Sequence, residues 1–569
     1  MNHISFSKKK FNSLLVTASI TMVVSYLTTL SDILITGIFV GEAAIAAVNM
    51  LTPIVGILYF ASGIISMGSQ YMYCEEIGKF RKDRAEEIFT QGFVLSAALG
   101  VVFFAALIAF RDPYINYLGI SEEIATELRL YWKYMIWAGL TIPLQFFIGN
   151  VVYADGDEFL TLMGNIALVG GNIVASIFLT YKLGTLGAGL GTFLGNAVST
   201  LVMAFHFLKK ENNLKLKLHF SLKDIKQMWK LSCLDVSSYL CWGLLNMIVT
   251  KIILSSFGES YTAVFGIAFN ILEMSLIFEG IGGALNPIAE IYVAEKNYDS
   301  ERELVGYASK IALAEGLLFA VILIIVAPFI PSVFGLENEA LSAECVKAVR
   351  YIACSLPFLA LNYAISSQYL IVRRIAMATV MMVVSLLGVN VILCVVLSKF
   401  MGLDGIWLSF AVSTFISQIG ILLYVYKKFG KEMFPWLVPQ NHCPTFDKSV
   451  TITEENVLFA RDAACSFLQE NNISDSLVKQ TMILFEEYGM TALDKNLGKS
   501  VIAQYTIRIE NDKLKLFFRD NGAIFDISDA DTRITSFRAY IVASVMETYR
   551  NKKYLTTVGY NRLMLEIDL

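Results

Sequence analysis

The stretch Leu183-Gly184-Thr185-Leu186-Gly187-Ala188-Gly189-Leu190 decides the fold, because the chain repeats its pattern in a second half. Gly184, Gly187 and Leu190 return 218 residues later, in Gly402-Leu403-Asp404-Gly405-Ile406-Trp407-Leu408. Further matches keep almost the same offset: Lys209-Lys210 with Lys427-Lys428, Ala47-Val48 with Ala263-Val264, Asp83 with Asp299, and Glu87 with Glu303. Ordered matches at one offset indicate an internal duplication. We therefore predict two related halves, residues 1–216 and 217–438.

Each half is dominated by long apolar runs. The 569-residue chain is 56% hydrophobic, and runs of about 20 residues, enough to cross a hydrocarbon core of about 30 Å, follow one another up to about residue 426. The alternating pattern of a membrane β-barrel is absent. We predict an all-α polytopic membrane protein with twelve helices in two pseudo-symmetric six-helix bundles. The spans lie near 13–40, 44–73, 88–110, 130–153, 160–181, 185–208, 229–256, 262–293, 304–333, 346–371, 376–399 and 403–426.

The short loops carry an uneven distribution of Lys and Arg, which indicates orientation. Lys8 to Lys10, Lys79 to Arg84 and Lys209 to Lys226 fall on one side of the predicted membrane. Both termini are therefore predicted to be cytoplasmic, in a cell (inner or plasma) membrane. The first apolar run is too long for a signal peptide, which favours an uncleaved first span.

Composition excludes several other classes. The net charge of −4 and the lack of a strongly basic segment argue against nucleic-acid binding. The eight cysteines form no CxxC pair, and His3, His206, His219 and His442 are scattered. We predict no metal site, no catalytic residues and no enzymatic activity.

Asp32 is the charged residue that most needs an explanation. It lies late in the first predicted span, where a charge at the bilayer centre costs about 2.5–3.5 kcal/mol on insertion scales. One interpretation is an idle, solvated carboxylate near the outer boundary. The functional interpretation is a carboxylate that alternates between a cation-bound and a free state, and so biases which way a cavity opens.

The residues around Asp32 resemble a known family. The pattern Asp-x-x-x-x-Gly-x-Phe-Val-Gly runs from Asp32 to Gly41, and Ala154-Asp155-Gly156-Asp157 follows span four. Together with the two glycine motifs above, these stretches are similar to the multidrug and toxic compound extrusion (MATE) transporters, over about residues 10–430. The resemblance implies a central cavity between the bundles and cation-coupled export.

The resemblance also implies site residues. The family's first-span acid falls on Asp32, and its polar partners fall on Asn150, Asn172 and Thr192. Where many members carry a second acid in span five, this chain has Ser176. The coupling ion, H⁺ or Na⁺, stays open on this evidence.

The second half departs further from the family pattern. Span seven carries Lys251 and span ten only Asn362, where sodium-binding members have acids. We interpret the polar residues of spans eight and ten as a second wall of the substrate cavity, for small amphipathic or cationic substrates. Alternatively, Glu290 and Asn286 lie near the cytoplasmic end, and Glu273 pairs internally. Gly282-Gly283 and Pro287 are expected to loosen span eight. The cavity candidates are Glu273, Glu279, Asn286 and Asn362.

Composition changes after Trp436, and residues 440–569 are predicted to form a small cytoplasmic α+β domain. Helices are predicted over 454–468, 476–493 and 537–547, and strands over 502–509, 514–518 and 563–567. The segment Glu510-Asn511-Asp512 is predicted to form a hairpin turn.

This tail resembles the histidine-kinase-like (GHKL) ATPases. Arg519-Asp520-Asn521-Gly522 is similar to their Asp-x-Gly box, which implies that Asp520 and Gly522 face adenine, and Glu487 matches the water-positioning base. Thr491 replaces the Mg²⁺-binding Asn, and the lid at 535–539 has no glycine. These departures argue against ATP binding and favour a degenerate domain for regulation or self-association, with no cofactor required.

The sequence thus favours a cation-coupled efflux antiporter of organic cations or drugs, with Asp32 as its coupling carboxylate and a regulatory tail. Two alternatives stay open: a lipid-linked or metabolite flippase of the same superfamily, and a membrane sensor that presents the GHKL-like domain to a partner protein.

Overall fold

The computed structural model describes residues 5–118, 120–210, 212–334, 336, 338–440, 443–527, 537–549, 551–557 and 560–569. Ten helical segments within the searched, described residues are long and apolar enough to cross a membrane. The first and seventh predicted spans coincide with α1 (Phe6–Phe39) and α7 (Leu222–Phe257), in which the side chains of 24–30 and 233–240 are not described. The polytopic helical fold is confirmed, while the count of twelve stays a prediction. The ten segments are 54–78, 82–118, 122–154, 158–183, 185–208, 264–294, 298–333, 339–371, 375–401 and 403–433.

The first half consists of long helices joined by short loops. Prolines inside two of them, Pro113 and Pro143, do not interrupt the helical assignment. After α1 come α2 (Glu42–Gly78), α3 (Lys82–Leu118), α4 (Glu122–Ala154), α5 (Glu158–Leu183) and α6 (Thr185–Ala204).

The second half follows the same order with more interruptions. A 3₁₀ turn at 274–278 splits span eight, residues 354–355 split span ten, and a π turn at 384–388 splits span eleven. The helices are α8 (Glu259–Glu273), α9 (Glu279–Ala294), α10 (Tyr298–Val326), α11 (Ile330–Val333), α12 (Glu339–Ala353), α13 (Leu356–Ile371), α14 (Ile375–Val383), α15 (Val389–Met401) and α16 (Leu403–Met433).

The expected loosening of span eight at Gly282-Gly283 and Pro287 is wrong. These residues lie inside continuous α9, and the break comes earlier, at 274–278. Small residues of α9 serve close packing instead: a methyl group on Gly280 would stand 3.0 Å from the backbone nitrogen of Ser19 on α1.

The repeated glycines have the same geometry in both halves. Gly184 ends α5 with φ 65°, and Gly402 ends α15 with φ 62°, a left-handed conformation that favours glycine. Each donates its N–H over 2.9 Å to the carbonyl four residues earlier, of Thr180 and of Ser398. The 218-residue offset therefore extends to hydrogen bonding, as expected for a duplicated helix hairpin.

Residues 445–569 contain a five-stranded antiparallel sheet of order β1-β2-β3-β5-β4. The predicted hairpin is confirmed, with Asn511 and Asp512 at positive φ in a two-residue turn. The sequence analysis did not predict β1 and β4. The elements are β1 (Thr445–Thr451), α17 (Glu454–Glu470), α18 (Asp475–Lys495), β2 (Ile502–Glu510), β3 (Lys513–Asp520), α19 (Phe537–Thr548), β4 (Asn551–Thr557) and β5 (Tyr560–Asp568).

This sheet is buried on both faces. Tyr505 and Phe518 point toward α18, where Phe485 stacks on Tyr505. The alternate residues, including Gln504, face the other way and are also buried. There Gln504 accepts a hydrogen bond from Tyr292 of α9 over 3.0 Å. We call the end of the helix bundle that contacts this sheet the tail face. The predicted boundaries at 216/217 and 438/440 stay predictions.

Candidate functional site

Asp32 is buried in the first half, with 5% of its surface exposed. Its Oδ2 accepts a hydrogen bond from the Thr192 hydroxyl over 2.6 Å and another from the Tyr131 hydroxyl over 3.1 Å. Thr192 lies on α6 and Tyr131 on α4, so three helices meet at this carboxylate. Hydrogen bonds to a charged oxygen stabilise the ionised form against the cost of burial.

A second layer of polar groups positions Thr192. Asn172 of α5 donates its amide to the Thr192 hydroxyl over 3.2 Å and accepts a hydrogen bond from Ser31 over 3.0 Å. Ser176, one turn after Asn172, is fully buried and packs directly against Gly191 of α6. Because Gly191 has no Cβ, α5 can approach α6 this closely. The site is therefore fixed by packing and by hydrogen bonds.

The other carboxylate oxygen, Oδ1 of Asp32, is buried and has no hydrogen-bond partner among the described residues. Buried polar atoms normally find a partner. The buried hydroxyl of Ser176 also has no described partner, so the unsatisfied groups of this site are Oδ1 of Asp32 and Oγ of Ser176. The surrounding donor set consists of carboxylate, hydroxyl and amide oxygens, which suit a proton or a hard cation such as Na⁺. No cluster of three or more His, Cys, Asp or Glu side chains with metal-binding geometry occurs in the searched part of the chain.

The structure brings three of the four predicted coupling residues together. Asn150 is separate from them: its amide donates to Ser66 of α2 over 2.7 Å, and it is not among the described hydrogen-bond partners of Asp32. The sequence analysis missed Tyr131, which lies at the edge of predicted span four. A tyrosine at a membrane boundary is ordinary, so its position gave no signal.

The cavity candidates of the second half do not share one hydrogen-bonded site in the described structure. Asn362 is fully buried and donates to Ser385 over 2.6 Å. Asn286 is buried within α9, whereas Glu273 ends α8 and Glu279 begins α9, both only partly buried.

Glu290 is buried and pairs with Arg373, whose guanidinium lies 3.2 Å from it. Arg373 also binds Glu75 of α2, so this ion-pair cluster joins the two halves rather than facing an open cavity. This matches the alternative that Glu290 lies at the end of its span.

Contacts between the halves gather at the tail face. Arg84 at the start of α3 forms a bidentate ion pair with Asp224 at the start of α7, over 2.6 and 2.7 Å. A methyl group on Gly78 would come 2.7 Å from the Cβ of Ala294. The two halves are thus closely joined where the tail packs.

In the tail, the predicted adenine-binding carboxylate is already engaged. Asp520 is fully buried and accepts hydrogen bonds from Tyr488 over 2.6 Å, the Gly522 backbone over 2.8 Å and Asn561 over 3.0 Å. Burial raises the pKa of Asp520, and these hydrogen bonds oppose that shift. Glu487 is partly buried, and the predicted lid at 535–539 lies outside the described side chains.

Comparison with known proteins identifies the family of the chain. The sequence model of the MatE family matches residues 18–181 and 237–396, more than half of the chain and none of the tail. The multidrug export protein MepA of Staphylococcus aureus (strain MRSA252) is 20% identical over 392 residues, which cover 67% of this chain and 85% of MepA. MepA of Staphylococcus haemolyticus (strain JCSC1435) is 23% identical over 260 residues, 44% of this chain and 57% of that protein.

Solved structures share the membrane fold. An outward-facing multidrug resistance MATE family transporter of the MOP superfamily has a TM-score of 0.68 at 20% identity, and covers 74% of this chain and 96% of its own. A MOP superfamily transporter from Pyrococcus furiosus, described as having a binding pocket of reverse polarity, gives the same values. With the buried carboxylate, the repeated hairpins and the family match together, the chain belongs to the MatE family of transporters.

Proposed function

We propose that this protein is a cation-coupled multidrug efflux antiporter that works by alternating access, with twelve membrane spans and a cytoplasmic tail. The observation that carries the proposal is the buried Asp32 carboxylate, whose Oδ2 accepts two hydrogen bonds while its Oδ1 has no described hydrogen-bond partner. The names of the MepA relatives support export of multiple drugs. The substrates would be small amphipathic or cationic molecules.

Asp32 couples transport to an ion because its charge is costly to bury. An ionised carboxylate in this position favours an arrangement in which a cation reaches it, and binding of H⁺ or Na⁺ removes the net charge. Neutralisation changes which arrangement of α1, α4 and α6 around the site is more stable. An ion gradient can then drive the exchange between the two openings of the cavity, since it shifts the populations of two states.

The tail acts as a regulator of that exchange. Its sheet packs against loops of both halves at the tail face, which is the cytoplasmic side in this proposal. Arg562 of β5 donates to the carbonyls of Ile77 and Gly78 over 2.8 and 3.1 Å and pairs with Glu295 over 2.7 Å. One buried side chain thus contacts both halves, which favours a regulatory domain over a sensor that merely displays the tail.

The experiment that tests the coupling role replaces Asp32 by Asn. Right-side-out vesicles from cells without other pumps are loaded with a fluorescent cation, and efflux is started by an imposed inward pH or Na⁺ gradient. We expect Asp32→Asn to abolish gradient-driven efflux while the protein remains folded in the membrane. Asp112→Asn, which removes an exposed carboxylate of the same half, is the matched control and should transport normally. Gradient-driven efflux by Asp32→Asn at the wild-type rate would remove Asp32 from the mechanism.

A further inference from the structure

A cavity of about 240 Å³ lies where the tail meets both halves of the membrane domain. Residues 78–81, the loop after α2, form one wall, and residues 294–296, the loop after α9, form another. These loops are equivalent in the repeat, since Phe80 and Lys296, 216 residues apart, both have φ 56°. The third wall is the outer face of the tail sheet, including Phe517. A molecule in this cavity would touch all three parts of the protein.

The lining of this junction cavity is strongly basic. Two carboxylates line it, Glu295 and Glu510. Against them stand six cations, Lys79, Arg81, Lys296, Arg508, Lys515 and Lys553.

The carboxylates leave part of this positive charge uncompensated. Lys79 and Arg81 form ion pairs with Glu75 and Glu76 of α2, which do not line the cavity. Glu295 is already bound by Arg519 and Arg562 of the tail.

Glu510 pairs with three cations of the lining, of which Lys515 also lies 3.8 Å from Glu566. Lys296 lies 2.8 Å from Glu510, Arg508 3.2 Å and Lys515 3.3 Å. Burial raises the pKa of Glu510, but the hydrogen bonds and charges of these neighbours lower it to about 2, so it is ionised and still outnumbered. Lys553 has no ion-pair partner in the described part of the chain. Arg508, 2% exposed, has a buried Nε with no described hydrogen-bond partner.

We propose that the junction cavity binds a small phosphate-bearing ligand, which acts as a bridge between the tail and both halves. A phosphate group offers several strong acceptor oxygens on a compact anion, which fits convergent lysine and guanidinium donors. The cavity is at the small end of ligand sites, which commonly span about 300–1,000 Å³, so it suits a phosphorylated metabolite or a headgroup better than a drug-sized molecule. The ligand can come from solution or from an anionic phospholipid.

This site is separate from the Asp520 region, because Asp520 ends the central strand β3 and bonds to Tyr488 of α18, on the face of the sheet away from the cavity. It depends on the observed packing of the tail and not on the transport proposal. Binding can therefore be measured without any transport assay, and a negative transport result would leave it intact.

The test uses the full-length protein in phosphatidylcholine nanodiscs. Inorganic phosphate and pyrophosphate are titrated while affinity is measured by calorimetry, and a second set of discs contains phosphatidylglycerol while thermal unfolding is followed by tryptophan fluorescence. The variants are Lys553→Gln, which breaks no described ion pair, and Lys515→Gln. Lys552→Gln, the exposed neighbour of Lys553, is the matched control, and gel filtration checks that each variant is folded.

We expect pyrophosphate to bind the wild type and each cavity variant to weaken binding about tenfold, the effect of one lost charge-assisted hydrogen bond. Lys552→Gln should bind as the wild type does. If the soluble phosphates did not bind and only phosphatidylglycerol discs raised the unfolding temperature, with this gain lost in Lys553→Gln, the bound ligand would be a lipid headgroup. Absence of binding by every probe, or equal losses in Lys552→Gln and Lys553→Gln, would overturn the proposal.

Discussion

At the scale of single residues, the distances around Asp32 indicate which of its two hydroxyl donors forms the stronger hydrogen bond. Thr192 lies 2.6 Å from Oδ2 and Tyr131 3.1 Å. Hydrogen bonds to charged groups contribute about 1.5–3 kcal/mol. We expect Thr192→Val, which keeps the side-chain shape, to change the ion concentration for half-maximal efflux about tenfold, and Tyr131→Phe to change it less. The measurement is initial efflux rate against the imposed ion concentration.

Thr200→Val is the matched control for this ranking, since the Thr200 hydroxyl donates only to the carbonyl of Asn196 on its own helix, over 2.8 Å. It should leave the ion dependence unchanged. If Tyr131→Phe had the larger effect, the two donors would be reversed in importance. Only part of this network was predictable. Asn172 and Thr192 followed from the family resemblance. The contact of Tyr131 with Asp32 depends on the packing of α4 in three dimensions, which the sequence alone does not indicate.

At the scale of elements, the repeated helix hairpins depend on glycines without space for a side chain. A Cβ on Gly187 would overlap the backbone of Leu179, and one on Gly405 would overlap that of Leu397. Overpacking lowers the free energy of unfolding by about 1–3 kcal/mol. Here the added methyl group would meet backbone atoms, which cannot move away as a flexible side chain can. We expect Gly187→Ala and Gly405→Ala each to lower the midpoint of thermal unfolding in detergent, measured with a thiol-reactive dye that reports exposure of the buried cysteines.

Gly170 of α5 and Gly420 of α16 are the controls, because a Cβ at either position meets nothing within 4 Å. Alanine there should leave stability unchanged or raise it, since glycine inside a helix costs about 0.5–1 kcal/mol relative to alanine. A similar loss in all four variants would show that the repeated glycines are not special contacts.

The same elements explain what the sequence could predict. Long apolar runs and the repeated spacing of glycines identified the spans, because burial in lipid and close helix packing both restrict composition. Strands β1 and β4 were missed, since they are short edge strands that carry lysines such as Lys448 and Lys552. The polar outer face of the sheet was expected to meet water. Its burial results from contact with residues more than 200 positions away, which no local pattern records.

At the scale of the whole molecule, the tail joins two halves that must separate if the tail face is to open. Arg562 is 1% exposed and binds the end of α2 together with Glu295 after α9. Arg519 binds Glu295 as well. A buried guanidinium shared between two moving bodies stabilises only the arrangement in which both are close. We therefore propose that the docked tail favours the state closed at this face.

If Arg562 holds the two halves together, Arg562→Gln should increase the distance between them. Breaking a buried ion pair costs about 3–5 kcal/mol, part of which the Arg519 contact with Glu295 offsets. Spin labels on Asp83→Cys and Asp299→Cys, equivalent positions at the starts of α3 and α10, report the separation at the tail face. We expect a single short distance in the wild type and an added population at longer distance in Arg562→Gln. Labelling requires a background without Cys354, Cys443 and Cys465, which are the accessible cysteines among those whose side chains are described.

Lys513→Gln is the control that separates loss of tail docking from loss of one positive charge. Lys513 lies on β3 of the same sheet and pairs with Glu566 over 2.8 Å within the tail, so its loss removes a cation without touching either half. It should give the wild-type distance. If Arg562→Gln and Lys513→Gln both kept the short distance, the tail would rest on the transporter without controlling it. A longer distance in Arg562→Gln alone means that the sheet holds the halves together, and any ligand or partner that releases the tail then accelerates opening at this face.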